Sequence, residues 1–272
     1  VKRLLTAAVL VPIALAAIFR LPGWAFFLLC AALMTASAWE FSRLASRSAP
    51  AGPWWALPVL VPVVACGLAW ALTPGHAIDG FHALGGGALV ALGVGALVLL
   101  TRTPVEQALA ATGGLAFAVP YFALPAASLY RLQQHDPWVL FLLLAIVWLG
   151  DTAAYYLGTA WGKHRLAPVV SPKKSWEGAI AGFLVSMLST AVWGAWRLGR
   201  VPPDLLAIGA LTAVASQLGD LVESMIKRGA QVKDSGALLP GHGGLYDRMD
   251  AMLFAAPAML LLLWWFGWEV GP

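Results

Sequence analysis

Between Ser224 and Asp250 the chain reads SMIKRGAQVKDSGALLPGHGGLYDRMD, a dense run of lysine, arginine, aspartate and histidine set between two strongly apolar segments. Charge of both signs is costly beside a bilayer, so such a block marks chemistry more often than surface decoration. Just upstream, Ser216, Gln217, Asp220, Glu223, Ser224, Lys227 and Arg228 interrupt a segment otherwise made of Leu, Ala, Ile, Val and Met. At 3.6 residues per turn these fall on one polar stripe, which must face a cavity or partner helices rather than hydrocarbon. Glu223 and Lys227 are four apart and can pair with each other. Asp220 has no basic residue one turn away, which suits a cation as partner.

After the stripe come Lys233, Asp234, Ser235 and Gly236, then Pro240-Gly241-His242-Gly243-Gly244. Glycines around one histidine open backbone geometries in which N–H groups converge on an anion; a flexible turn is the plainer reading. Asp247, Arg248 and Asp250 follow at the start of the last apolar segment. Two aspartates three apart share a helix face and offer oxygen ligands to a hard cation such as Mg²⁺; they also complement a helix N-terminus. A second polar patch begins at Asp151, with Tyr155 one turn on, and continues through the basic loop GKHRLAPVVSPKKSWEG from Gly162 to Gly178. There Lys173 and Lys174 can meet phosphate or anchor the loop on the cytoplasmic side. Acids, bases and a glycine loop together meet the needs of phosphoryl or nucleotidyl transfer, in which the protein mostly positions the reactants.

The elements that position these residues are membrane helices. The chain has 272 residues, of which 60% are hydrophobic and 11% charged, too apolar for a soluble domain with a polar shell. Spans of roughly 20 apolar residues are expected near 4–20, 24–42, 54–73, 83–100, 107–129, 138–158, 176–196, 204–227 and 248–268. With the N-terminus inside, nine spans place 13 of the 17 Lys and Arg on the cytoplasmic side and leave Arg20, Arg131, Arg197 and Arg200 outside. The polar block then faces the cytosol, where the positive excess suits anionic headgroups or nucleotides. The start, Lys2-Arg3 before an apolar stretch, is read as a first span rather than a cleaved signal. Cys30 and Cys66 lie within spans without metal-type spacing and are read as helix packing. Gly85-Gly86-Gly87, Gly93, Gly95 and Gly113-Gly114 let helices approach closely. Trp39-Glu40 closes the second span, either as an interfacial anchor or with Glu40 facing a polar cavity.

The expected fold is all-α, a polytopic helical bundle forming one membrane domain over residues 1–272. Its N-terminal and middle helices, 1–137, supply packing and dimer surface, and its C-terminal half, 138–272, carries the chemistry.

The run SMIKR, four residues, then KDSGALLPGHGGLYDRMD closely resembles the characteristic motif of the phosphatidate cytidylyltransferases, or CDP-diacylglycerol synthases, with nearly every polar position filled. Asp151 and the stretch SPKKSWEG resemble the same family, as does the nine-span hydropathy. The resemblance implies that phosphatidate attacks the α-phosphorus of CTP to give CDP-diacylglycerol and pyrophosphate, with Mg²⁺ required and a second, monovalent cation such as K⁺ allowed. It implies Asp220 and Asp247 as metal ligands with Asp250 in support, and Asp220, Lys227, Asp247 and Arg248 as the catalytic set. Lys227, Arg228, Lys233 and Arg248 would bind phosphates, and Ser171, Lys173 and Lys174 would close the site. Ser224, Asp234, His242, Gly243 and Gly244 complete the substrate-binding set. It further implies a homodimer in the bacterial inner membrane, active site toward the cytoplasm, with no nucleic-acid partner.

Two other classes compete. A transporter also carries intramembrane acids, but no second copy of the polar block exists. A CTP-dependent lipid kinase is the nearest enzymatic rival, and it would release CDP rather than pyrophosphate. The D-G-x-x-A-R pattern of CDP-alcohol phosphatidyltransferases is absent.

Overall fold

The computed structural model describes residues 2–73, 104–236 and 243–268, with positions 89, 93, 95, 96 and 100 between them. Among the described residues the regular elements are helices and one short hairpin: α1 Lys2–Arg20, α2 Gly23–Ser48, a 3-10 turn at Trp54–Ala56, α3 Leu57–Ala71, α4 Val105–His135, α5 Pro137–Trp161, β1 Arg165–Ala167, β2 Ser171–Ser175, α6 Trp176–Leu198, α7 Pro203–Gly229 and α8 Tyr246–Trp265. Seven of the described helices are long and apolar enough to cross a membrane. The expected first span coincides with α1. The expected fourth span, 83–100, lies outside the described residues apart from the isolated positions.

The chain divides into two compact units, residues 1–134 with 226–249 and 271–272, and residues 135–225 with 250–270. In the first, α2 packs against α3, and Phe41 on α2 is the centre of an aromatic cluster. Its ring lies 5.6 Å from Phe122, 6.2 Å from Tyr246 and 6.4 Å from Trp54, all three edge-on. Such edge-to-face contacts add specificity beyond area burial. Gly114 on α4 admits the Trp54 ring, which a Cβ there would meet at 2.5 Å. Gln133 ties α4 to the end of α1 by donating to the carbonyls of Ile18 and Leu21.

In the second unit, α5 begins at an extended Asp136 whose side chain accepts from Trp138 N, with Pro137 at the first helical position. The close pairing of α5 and α6 follows from their small residues. Gly178, Gly182, Ser186 and Thr190, each four apart, are buried on α6, whereas Ile180, Leu184, Leu188 and Val192 form an exposed apolar stripe. Small residues let backbones approach where lipid gives no hydrophobic drive to associate. A Cβ on Gly182 would stand 2.8 Å from the Gly150 carbonyl oxygen, and one on Gly178 2.7 Å from that of Ala154. Ser186 Oγ donates across the pair to the Ile146 carbonyl at 2.8 Å.

Because backbone blocks the added methyl, Gly182→Ala is expected to destabilise by about 1–3 kcal/mol despite the better helix propensity of alanine. Gly67 on α3 has nothing within 4 Å of the corresponding position. Gly67→Ala should therefore hold or raise the thermal midpoint in detergent. Equal midpoints for the two variants would contradict the packing account.

The basic loop between α5 and α6 is more ordered than the sequence suggests. It folds into an antiparallel hairpin with Arg165 opposite Ser175 and Ala167 opposite Ser171, broken by an irregularity between the pairs. The segment SPKKS has little intrinsic strand preference, and contacts at its base hold it. Trp176 N donates to the His164 carbonyl at 2.9 Å, and His164 Nδ1 lies 2.6 Å from Glu177 Oε1. Ser175 then caps α6 by accepting from Gly178 N at 3.2 Å.

Candidate active site

The polar stripe on α7 meets acidic and basic partners within the second unit. Asp220, Glu223 and Asp250 each offer a carboxylate oxygen, and these oxygens all lie within 4.8 Å of one another. Gly219 makes this possible, since a Cβ there would meet the Asp250 carbonyl oxygen at 2.6 Å. Lys174, the fourth residue of β2, forms an ion pair with Asp220. Asp151 on α5 lies near enough to Asp220, Asp250 and Lys174 for their charges to interact. Glu223 is fully buried.

Like charges gathered in a low-dielectric setting repel strongly unless a cation compensates them. Lys174 supplies a positive charge to the group through Asp220. Hard oxygen donors suit Mg²⁺, whose octahedral ligands at about 2.1 Å stand roughly 3–4.2 Å apart. The cluster therefore fits a divalent cation in donor type, with its oxygens gathered within 4.8 Å of one another.

A second grouping lies in the first unit. Lys227 Nζ donates to Asp247 Oδ1 at 2.8 Å, with both side chains largely buried. Asp247 Oδ2 accepts from Ser235 N at 3.0 Å and from Gly244 N at 2.8 Å. Both ends of the glycine-rich segment are thus tied to one carboxylate. Gly243 has φ of 80°, a conformation open to glycine and strained for other residues. Its Cβ would also stand 2.8 Å from Asp247 Oδ2. Glu40, buried on α2, accepts through Oε2 from Ser235 Oγ at 3.1 Å and from Tyr246 N at 2.9 Å.

The remaining sequence candidates are distributed around these groupings. Arg228 donates to the Val232 carbonyl at 3.1 Å, closing the turn after α7. Lys233, Asp234 and Arg248 are exposed, Ser224 is buried, and Ser171 and Lys173 lie on β2 with Lys173 exposed. His242 lies outside the described residues. Lys227 is paired with Asp247 at the start of α8. Asp220 finds its basic partner on the hairpin rather than on its own helix.

Two residues escape the sequence reading. Glu223, which the sequence also offers as a partner for Lys227, belongs to the acidic trio; its place on the stripe three residues after Asp220 was the available signal. Glu40 is identified only as an interfacial or cavity-facing acid, because its partners are about two hundred residues away in the chain.

Comparison with known proteins accords with this chemistry. Residues 1–266 match the cytidylyltransferase family. The chain is 36% identical to a phosphatidate cytidylyltransferase of Pseudomonas aeruginosa over 98% of both chains. It is 31% identical to one of Haemophilus influenzae over 94% of this chain and 96% of that one. A phosphatidate cytidylyltransferase of Mycobacterium tuberculosis is 39% identical over 56% of this chain and 46% of its own. The chain belongs to the cytidylyltransferase family.

Proposed function

We propose that this protein transfers the cytidylyl group of CTP to phosphatidate, forming CDP-diacylglycerol and pyrophosphate for phospholipid synthesis. The observation that carries the reading is the near full-length likeness to the Pseudomonas phosphatidate cytidylyltransferase. The charged groupings on α7, α8 and the hairpin give it a chemical basis. In the reaction a phosphate oxygen of phosphatidate forms a bond to the α-phosphorus of CTP while the bond from that phosphorus to the bridging oxygen of the β-phosphate breaks. Phosphatidate is an anion near neutral pH, so the attacking oxygen needs little help from a general base.

Asp220, Glu223 and Asp250 would hold Mg²⁺. Asp247 is proposed as a cation ligand as well; Lys227 occupies its Oδ1 here, and a cation would compete with that ammonium. A bound divalent ion supplies charge neutralisation at the phosphates and polarises the phosphorus centre. A second, monovalent cation such as K⁺ is part of the proposal. Lys227, Arg228, Lys233 and Arg248 would take the phosphates, and the glycine segment around Gly243 and Gly244 would present backbone N–H groups to them. Lys173, Lys174 and Ser171 would bring the hairpin to the substrate. Ser224, Asp234 and His242 complete the proposed binding set.

The acyl tails would enter sideways from lipid, leaving the headgroup among the charges. The bacterial relatives and the excess of Lys and Arg in the loops expected to be cytoplasmic support a site facing the cytoplasm from the inner membrane. A homodimer is part of the proposal, supported by the family resemblance, and is testable by cross-linking in membranes. Purified protein given CTP, phosphatidate and Mg²⁺ should release pyrophosphate only when all three are present. Turnover that proceeds without phosphatidate, or no turnover by folded protein in a lipid environment, would overturn the proposal.

A further inference from the structure

We infer that Glu40 is a positioning residue for nucleotide binding: from α2 it staples the two ends of the glycine-rich segment, and so sets the geometry of Asp247 and Lys227. The inference rests on the cytidylyltransferase reading of the same site.

Glu40 is 1% exposed. Burying a carboxylate on a membrane helix is costly, and a leucine would fill the volume without that cost. The acid is compensated by specific donors. Its Oε2 accepts from the hydroxyl of Ser235, at one end of the segment, and from Tyr246 N, the first residue of α8, at the other. Tyr246 N is one of the helix N-terminal donors without an intrahelical acceptor, and the positive helix end favours a carboxylate there. Space is reserved for it on both sides. A Cβ on Gly236 would meet Oε1 at 2.3 Å, and one on Gly244 would meet Oε2 at 2.3 Å. Both glycines are needed for the carboxylate to enter.

Ser235 is the link. Its hydroxyl donates to Glu40, while its backbone N–H donates to Asp247 Oδ2 at 3.0 Å. Asp247 in turn accepts from Gly244 N and Lys227 Nζ. Tyr246 is locked in the same place by its ring against Phe41, the residue after Glu40, and by its hydroxyl 3.2 Å from that of Tyr121. The two carboxylates, Glu40 and Asp247, therefore both hold Ser235 and the residues at the start of α8. Removing Glu40 frees Ser235 and the start of α8 and relaxes the groups that receive the nucleotide phosphates, with no direct contact to the lipid substrate.

The test compares Glu40→Ala, Glu40→Gln and Ser235→Ala with the wild-type protein in lipid nanodiscs, measuring steady-state kinetics per folded enzyme. Glu40→Ala should raise the KM for CTP about tenfold or more and lower kcat, as expected for loss of a charged hydrogen-bond anchor. Its KM for phosphatidate should stay within about twofold of wild type, a split that a general loss of stability would not produce. Glu40→Gln, which keeps an acceptor in place, should return the KM for CTP to within about threefold of wild type. If Glu40→Ala does not fold, Ser235→Ala carries the test alone, with a rise in the CTP KM of roughly three- to tenfold. An unchanged KM for CTP in these variants, or a fall in kcat with both KM values unchanged, would overturn the inference while leaving the cytidylyltransferase reading intact. Failure of the wild-type protein to use CTP at all would instead remove that reading.

Discussion

Glu223→Gln should slow pyrophosphate release by roughly 100- to 1,000-fold, the range expected when several kcal/mol of metal-assisted charge stabilisation are lost. The change is nearly isosteric and keeps the side chain polar, so the effect is one of charge. Glu223 is fully buried and its carboxylate shares a 4.8 Å neighbourhood with those of Asp220 and Asp250. Neutralising one member lowers the affinity of the group for a hard cation. The wild-type protein should gain thermal stability with added Mg²⁺, as a ligand that binds the folded state requires. Glu223→Gln should gain little thermal stability on addition of Mg²⁺. Equal Mg²⁺-dependent shifts in the two proteins would show that Glu223 takes no part in cation binding.

Breaking the Lys227–Asp247 pair should have the second large effect. At 2.8 Å, with side chains 13% and 9% exposed, the pair is mostly desolvated. Removing one partner of a buried pair costs about 3–5 kcal/mol, because the other charge stays behind uncompensated. Asp247→Ala should be the worse of the two single changes. It also strips the acceptor from Ser235 N and Gly244 N, each worth about 1–3 kcal/mol if left unsatisfied. Lys227→Met keeps the volume and leaves Asp247 its backbone donors. The double variant should be more stable than the sum of the single losses predicts, with a coupling of about 0.5–3 kcal/mol. Activity should be lost in each single variant and fall no further in the double, as for residues that act as a unit. Denaturation in detergent and pyrophosphate release check the two statements separately, and additivity in stability would contradict the pairing.

Helix positions along the chain were legible because lipid demands long apolar runs, and those expected near 138–158, 176–196 and 204–227 lie within Pro137–Trp161, Trp176–Leu198 and Pro203–Gly229. The stripe on α7 was legible for the same reason, since polar side chains at helical spacing stand out against hydrocarbon. Partner choice was not. Asp247 and Asp250 share a helix turn, but three residues advance the helix to a direction about 60° away. That offset lets Asp247 serve Lys227 and the glycine segment while Asp250 joins Asp220 and Glu223. Lys174 was readable as a cation on a basic loop, yet its pairing with Asp220 depends on a hairpin held by His164, Trp176 and Glu177 rather than by strand-forming residues. Glu40 shows the limit most clearly. A single acid at the end of an apolar run carries no mark of a serine some two hundred positions later, and only the folded chain brings the two together.

The most direct test of the proposed reaction follows the label of CTP. Wild-type protein in nanodiscs with phosphatidate and Mg²⁺ should move phosphorus from the α-position of CTP into lipid and leave the γ-phosphorus in pyrophosphate, one for one. Transfer of γ-phosphorus into lipid with release of CDP would contradict the account and make the protein a CTP-dependent lipid kinase instead.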